Sequence, residues 1–122
     1  MSGKILVIDD QPQIRDILAN FLRTAGYGFT LCPDGATALA HLASEAFDLI
    51  VADLGLPDLD GLELLRRAKS LWPRTPFAVI TGSGEMIDES AVDRWRIDYL
   101  LPKPFTRDQF MAVVALALRQ PA

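Results

Sequence analysis

Short apolar runs of three to five residues alternate with amphipathic stretches of ten or more along the whole chain, and this alternation restricts the fold more than any other feature. Strand-like runs fall at Lys4-Ile8, Phe29-Cys32, Asp48-Ala52, Phe77-Ile80 and Tyr99-Leu101. Helical spacing occupies Pro12-Ala25, Ala36-Glu45, Leu62-Leu71, Glu85-Trp95 and Arg107-Arg119. Strands that alternate with helices predict an α/β doubly wound parallel sheet built from right-handed crossovers. The runs Ile5-Ile8 and Leu49-Ala52 are apolar at every position, as strands covered by helices on both faces must be.

Local signals agree with this reading. Ile14, Ile17, Leu18, Phe21 and Leu22 recur at i, i+3, i+4, i+7 and i+8, which predicts one apolar face on the first helix. Pro12 suits its first turn, and Gly26 or Gly28 can end it. Thr106 followed by Gln109 is a capping-box pattern for the last helix. With 122 residues and neither a repeat nor a linker, the expectation is a single domain over 1–122.

Composition removes several function classes. A formal charge of -4 argues against a nucleic-acid surface, which needs a basic excess. Only four apolar residues stand between Lys4 and the pair Asp9-Asp10, which is too few for a secretory signal. The longest apolar run, Phe110 to Leu118, is nine residues, short of the roughly 20 that span a bilayer. A cytoplasmic protein without a membrane partner is therefore expected. The lone Cys32 excludes an internal disulfide and reads as a small buried hydrophobe.

The chemistry gathers where the strands stop. Asp9 and Asp10 follow the first strand and Asp53 follows the third. In an open α/β sheet, ligands bind beyond the carboxyl ends of the strands, so these three carboxylates should converge there. Left together they repel, and a hard divalent cation such as Mg²⁺ relieves the repulsion. Thr81 ends the fourth strand and Lys103 follows the fifth, adding a hydroxyl and a fixed positive charge at the same edge. Taken singly, each is an ordinary cap or turn residue. Together, at the ends of four strands, they mark a site.

Four segments carry a family resemblance: Val7-Ile8-Asp9-Asp10, Ala52 to Gly61 with Pro57, Ile80-Thr81-Gly82, and Lys103-Pro104-Phe105. The whole chain resembles the receiver domain of response regulators in two-component signalling. That resemblance implies a flavodoxin-like fold, five parallel strands in the order 2-1-3-4-5 flanked by five helices. It implies Asp53 as phosphoacceptor, and Asp10 and Asp53 as direct Mg²⁺ ligands. Asp9 would be a ligand through water or an acid-pocket partner, and the Gly55 carbonyl would complete the protein's share of the metal shell. Thr81 would bond a phosphoryl oxygen, and Lys103 would pair with the acceptor, across a cis bond to Pro104. The donor would be a histidine kinase or histidine phosphotransfer domain. A downstream protein partner or output domain would read the fourth helix, fifth strand and fifth helix. Such a module is not an enzyme in the usual sense, although it takes part in its own phosphorylation and slow dephosphorylation.

The chain departs from the family where an aromatic residue usually stands three positions before the lysine. Leu100 is found there, and strand alternation sends the neighbouring Tyr99 to the opposite face. Gly55 and Ser83 fill positions that tune the attacking water in the family, and both are small. Trp95 and Arg96 read as a capping hydrophobe and a solvated charge, and His41 as a surface residue. On the last helix Phe110, Val113, Val114 and Ala117 make the core face, leaving Met111, Ala115 and Leu118 as a wide core margin or a partner strip.

Three rival classes are weaker. A haloacid dehalogenase-type phosphohydrolase needs a second aspartate where Gly55 stands. A flavin-binding fold needs a hydroxyl- and glycine-rich loop in place of Asp9-Asp10-Gln11-Pro12. A calcium loop aligned on Gly61 would put Leu56 first and Arg67 twelfth, where carboxylates are required. A receiver-like interaction module that works without phosphorylation is the stronger alternative, because Leu100 already departs from the usual switch.

Overall fold

The computed structural model describes residues 3–82 and 89–119. Five parallel strands form one sheet: β1 (Lys4–Ile8), β2 (Gly28–Cys32), β3 (Leu49–Asp53), β4 (Phe77–Thr81) and β5 (Tyr99–Pro102). Their spatial order is β2-β1-β3-β4-β5, so strand order reverses beside β1 and opens a crevice between β1 and β3. The connecting helices are α1 (Pro12–Ala25), α2 (Gly35–Ser44), α3 (Gly61–Leu71), α4 (Glu89–Arg94) and α5 (Arg107–Arg119). The start expected for the fourth helix at Glu85, and Ser83 before it, lie outside the described residues.

Strand alternation sorts the apolar residues into two cores. Leu6, Ile8, Ile50, Ala52 and Val79 point to one face, where Leu42 of α2 and Leu64 and Leu65 of α3 cover them. Ile5, Val7, Val51, Ala78 and Ile80 point to the other, beneath Leu18 and Leu22 of α1 and Phe110 and Val114 of α5. Covering both faces is what makes residues 5–8 of β1, 49–52 of β3 and 77–80 of β4 apolar at every position. Cys32 is buried, and burial followed by the nearby Asp34 charge pushes its thiol up to about 11, which leaves it unreactive.

Element ends differ from the sequence reading for identifiable reasons. Gly26 ends α1, in a left-handed conformation with φ 88°, while Gly28 belongs to β2, where its N–H donates to the Gly3 carbonyl. Asp48 stays outside β3 because its carboxylate caps the start of β1, accepting from the Lys4 N–H at 2.7 Å. Thr81 ends β4 as expected, whereas Asp53 and Pro102 are the last residues of their strands rather than the first beyond them. Asp34 and Asp60 cap α2 and α3 by accepting from Thr37 and Leu62, which starts both helices one residue earlier than expected. Glu45 is extended and ends α2 at Ser44. Thr106 and Gln109 do form the reciprocal capping box.

The α1 stripe is divided. Leu18 and Leu22 are buried and Ile14 and Phe21 pack beside them, but Ile17 is 45% exposed at the margin. On α5 the expected wide core margin is real for Met111 and Leu118, which pack on the same core, whereas Leu116 is 53% exposed. Among the described residues no helix is long and apolar enough to cross a membrane.

Candidate functional site

The carboxyl ends of β1, β3 and β5 bring four side chains together. Asp53 ends β3, nearly buried, because the fully covered strand carries it into the crevice. Asp9 leaves β1 wholly buried and Asp10 follows it exposed. Each of the three offers a carboxylate oxygen within 4.8 Å of the others. The Lys103 Nζ reaches over from the end of β5 and donates to Asp53 Oδ2 at 3.0 Å, with Asp9 Oδ2 at 3.7 Å. The Lys103-Pro104 bond is cis. Thr81 is buried at the end of β4, and its carbonyl accepts from the Lys103 N–H at 2.7 Å.

Backbone donors fix the acids. Asp53 Oδ1 accepts from the Gly55 N–H at 3.0 Å, and Asp9 Oδ1 accepts from the Gln11 N–H at 2.9 Å. The remaining Asp9 oxygen, Oδ2, is the one buried side-chain nitrogen or oxygen among the described residues without a hydrogen-bond partner. Its nearest cation is the Lys103 ammonium at 3.7 Å, beyond hydrogen-bond distance, so this oxygen keeps lone pairs open to a cation. Burial raises the Asp9 pKa above its ordinary 3.8; the Gln11 N–H and Lys103 oppose the shift, and Asp53 and Asp10 add to it. For Lys103, burial acts to lower the pKa, but the hydrogen bond to Asp53 and the charges of Asp9 and Asp53 prevail, and the ammonium is held above its ordinary value. Three carboxylates face one ammonium, so the cluster can accept a cation.

Sequence reasoning missed the residues that hold this loop system. The Arg15 Nη1 donates to the Asp9 carbonyl at 2.6 Å and ties α1 to the end of β1. Asp58 accepts from the Gly35 and Ala36 N–H groups, tying the loop after Asp53 to the start of α2. Those two bonds hold the Asp58 carboxyl below its ordinary pKa. Its partners lie more than twenty residues upstream, and no local pattern signals them. Gly61 is needed because a Cβ there would sit 2.6 Å from the Leu54 Cα and 3.1 Å from the Asp53 carbonyl oxygen.

A groove of about 700 Å³ opens from this cluster. Asp10, Asp53 and Lys103 line one end, and Ile14, Ile17 and Phe21 of α1 line the other. The apolar face expected for α1 thus serves partly as core and partly as the wall of the groove. Leu100 packs with the α2/α3 core and Tyr99 with the α1/α5 core, so the two do point to opposite faces. His41 is half-exposed, with its Nδ1 3.4 Å from Glu45. Trp95 packs partly onto the α2/α3 core while Arg96 is exposed.

A family model described as the response regulator receiver domain matches residues 5–115. The chain is 38% identical over 119 residues to the transcriptional regulatory protein FixJ of Bradyrhizobium diazoefficiens, covering 97% of this chain and 58% of that protein. It is 36% identical over 121 residues to the response regulator MprA of Mycobacterium tuberculosis, covering 98% of this chain and 52% of that one. Among solved structures, a CheY-like receiver domain protein from Methanospirillum hungatei superposes with a TM-score of 0.90 at 26% identity, covering 98% and 95% of the two chains. Full-length FixJ from B. japonicum superposes with a TM-score of 0.87 at 36% identity, covering 97% and 58%. The chain spans about half the length of the curated relatives it matches.

Proposed function

This chain belongs to the response regulator receiver domain family of two-component signalling, and on that footing we propose that it accepts a phosphoryl group on Asp53 in an Mg²⁺-dependent transfer. The observation that carries the reading is the Asp53 carboxylate held 3.0 Å from Lys103 beside the buried Asp9 Oδ2, which accepts no hydrogen bond. Asp9, Asp10 and Asp53 fit a hard cation by their oxygen donors and excess charge, with the Gly55 carbonyl as a further ligand. When bound, Mg²⁺ supplies neutralisation of the charge that builds on the phosphoryl oxygens.

The protein's own groups supply the rest. An Asp53 oxygen is the nucleophile, and a carboxylate attacks without a general base. A new P–O bond forms at Asp53 as the donor's P–N bond breaks, and the electron pair returns to the departing imidazole nitrogen. Lys103 then moves its hydrogen bond from the carboxylate to the phosphoryl group, and the Thr81 hydroxyl takes another phosphoryl oxygen. The donor, a phosphohistidine on a histidine kinase or phosphotransfer domain, enters by the groove that α1 walls with Ile14, Ile17 and Phe21. Residues 1–122 act as one receiver unit in the cytoplasm, without direct contact to nucleic acid. The new charge shifts an equilibrium of the loop at Thr81, and a protein partner or output domain reads it at α4, β5 and α5. Leu100 carries no polar group to follow Thr81, so displacement of the backbone and α4 transmits the change.

Intact-mass measurement after treatment with a small phosphodonor tests this, with and without Mg²⁺ and beside Asp53→Asn. One phosphoryl adduct that requires both Mg²⁺ and Asp53 is expected. Its absence would leave the phosphorylation-independent interaction module as the better account.

A further inference from the structure

A second cleft, of about 370 Å³, lies between the C-terminal half of α3 and the end of α4. It is lined by Arg66, Lys69, Ser70, Arg94, Trp95 and Arg96. Lys69 reaches the Thr75 carbonyl just before β4, so the cleft sits at the edge where strands begin, opposite the edge that carries Asp53. Four cations around one indole are unexpected in a chain of net charge -4.

Ordinary structural duties account for only part of this set. Lys69 has structural partners, donating to Asp98 at 2.7 Å as well as to Thr75. Lys69 and Arg94 stand in last turns, where a cation offsets the helix dipole. Arg66 shares the single carboxylate of Glu63 with Arg67. Among the described residues, neither Arg94 nor Arg96 has a carboxylate within ion-pair distance. The Arg94 guanidinium lies 5.9 Å from the Trp95 ring centroid, a cation–π arrangement.

Arg96 is the most informative of the four. Its φ is 60°, the only positive value at a non-glycine residue among those described. The Arg96 N–H bonds the Asp93 carbonyl and the Ile97 N–H bonds the Val92 carbonyl, the same helix ending that Gly26 makes on α1. An exposed arginine held where glycine is preferred strains the backbone without adding to the core, which points to a use for its side chain.

We propose that this cleft binds a small phosphorylated ligand with a planar ring, of the nucleoside phosphate class. The guanidinium forks of Arg94 and Arg96 match phosphate oxygens, with Arg66 at the rim, and the ring lies against Trp95. A single-ligand volume with one aromatic wall suits this better than an extended acidic segment of another protein. The site stands independently of phosphorylation at Asp53.

The test is titration of the full chain with ADP, adenosine and inorganic pyrophosphate in the presence of chelator, followed by amide and indole NMR shifts and by calorimetry. Wild type is compared with Arg94→Gln, Arg96→Gly and Asp53→Asn. Saturable ADP binding with shifts at Arg94, Trp95 and Arg96 is expected, unchanged in Asp53→Asn and weakened about tenfold or more in the two arginine variants. Arg96→Gly relieves the backbone strain, so its thermal midpoint should not fall, and lost binding there cannot be ascribed to unfolding. The proposal is overturned by no saturable ADP binding, or by adenosine or pyrophosphate binding as tightly as ADP. Shifts confined to the surroundings of Lys103, or binding of a glutamate-rich peptide in place of ADP, would overturn it equally.

Discussion

At Asp9 the fold gives up stability to hold a charge. Burial raises its folded-state pKa above the ordinary 3.8, so between those two values the folded chain binds more protons than the unfolded chain. That contribution to stability is full below the ordinary pKa and is lost as pH rises through the folded value. Asp9→Asn keeps an acceptor for the Gln11 N–H and removes the ionisation. It should raise neutral-pH stability by on the order of 1 kcal/mol and flatten the acid-to-neutral pH dependence, both read from urea melts. Mg²⁺ should raise the thermal midpoint of the wild type and do so far less in Asp9→Asn. A variant no more stable than wild type at neutral pH would show that burial of this charge is not costly. Lys103 obeys the same sign at higher pH, with its charged form favoured by the fold: its raised pKa adds stability that is full below the ordinary 10.5 and is lost as pH climbs through the folded value.

Element ends set where these groups stand. α3 starts against the β3 exit, and Gly61 is what permits the approach, since a methyl group there would press on the Leu54 and Asp53 backbone. Gly61→Ala should therefore cost about 1–3 kcal/mol in chemical denaturation, with movement of the loop after Asp53 visible as amide shifts at Leu54 and Gly55. Asp58 joins that loop to α2, and Asp58→Ala should lower the thermal midpoint by a few degrees. Because its folded pKa is depressed, the difference between wild type and variant should be present at neutral pH and vanish as pH falls through the folded pKa. At the end of α4, Arg96→Gly should stabilise the chain by about 1 kcal/mol, measured by thermal melting.

The whole molecule rests on two cores separated by one sheet, and each side needs its large anchor. Phe110 on α5 is fully buried, and Phe110→Ala should cost about 3–5 kcal/mol, a large share of the 5–15 kcal/mol that holds a domain of this size. Equilibrium unfolding in urea measures it. The sequence by itself determined the alternating strands and helices, the inward residues of the sheet and the Asp9, Asp10, Asp53 and Lys103 cluster. Those depend on periodicity and on residue types at strand ends, which are local properties of the chain. Tertiary structure alone decided that Asp58 caps α2, that Arg15 anchors the Asp9 carbonyl and that Ile17 lines the groove instead of the core. It also decided which Asp9 oxygen goes without a hydrogen bond and the gathering of Arg66, Arg94 and Arg96 with Trp95 in one cleft. These features join residues that the chain path separates, and their energies depend on burial and distance, which take values only when the helices close over the sheet.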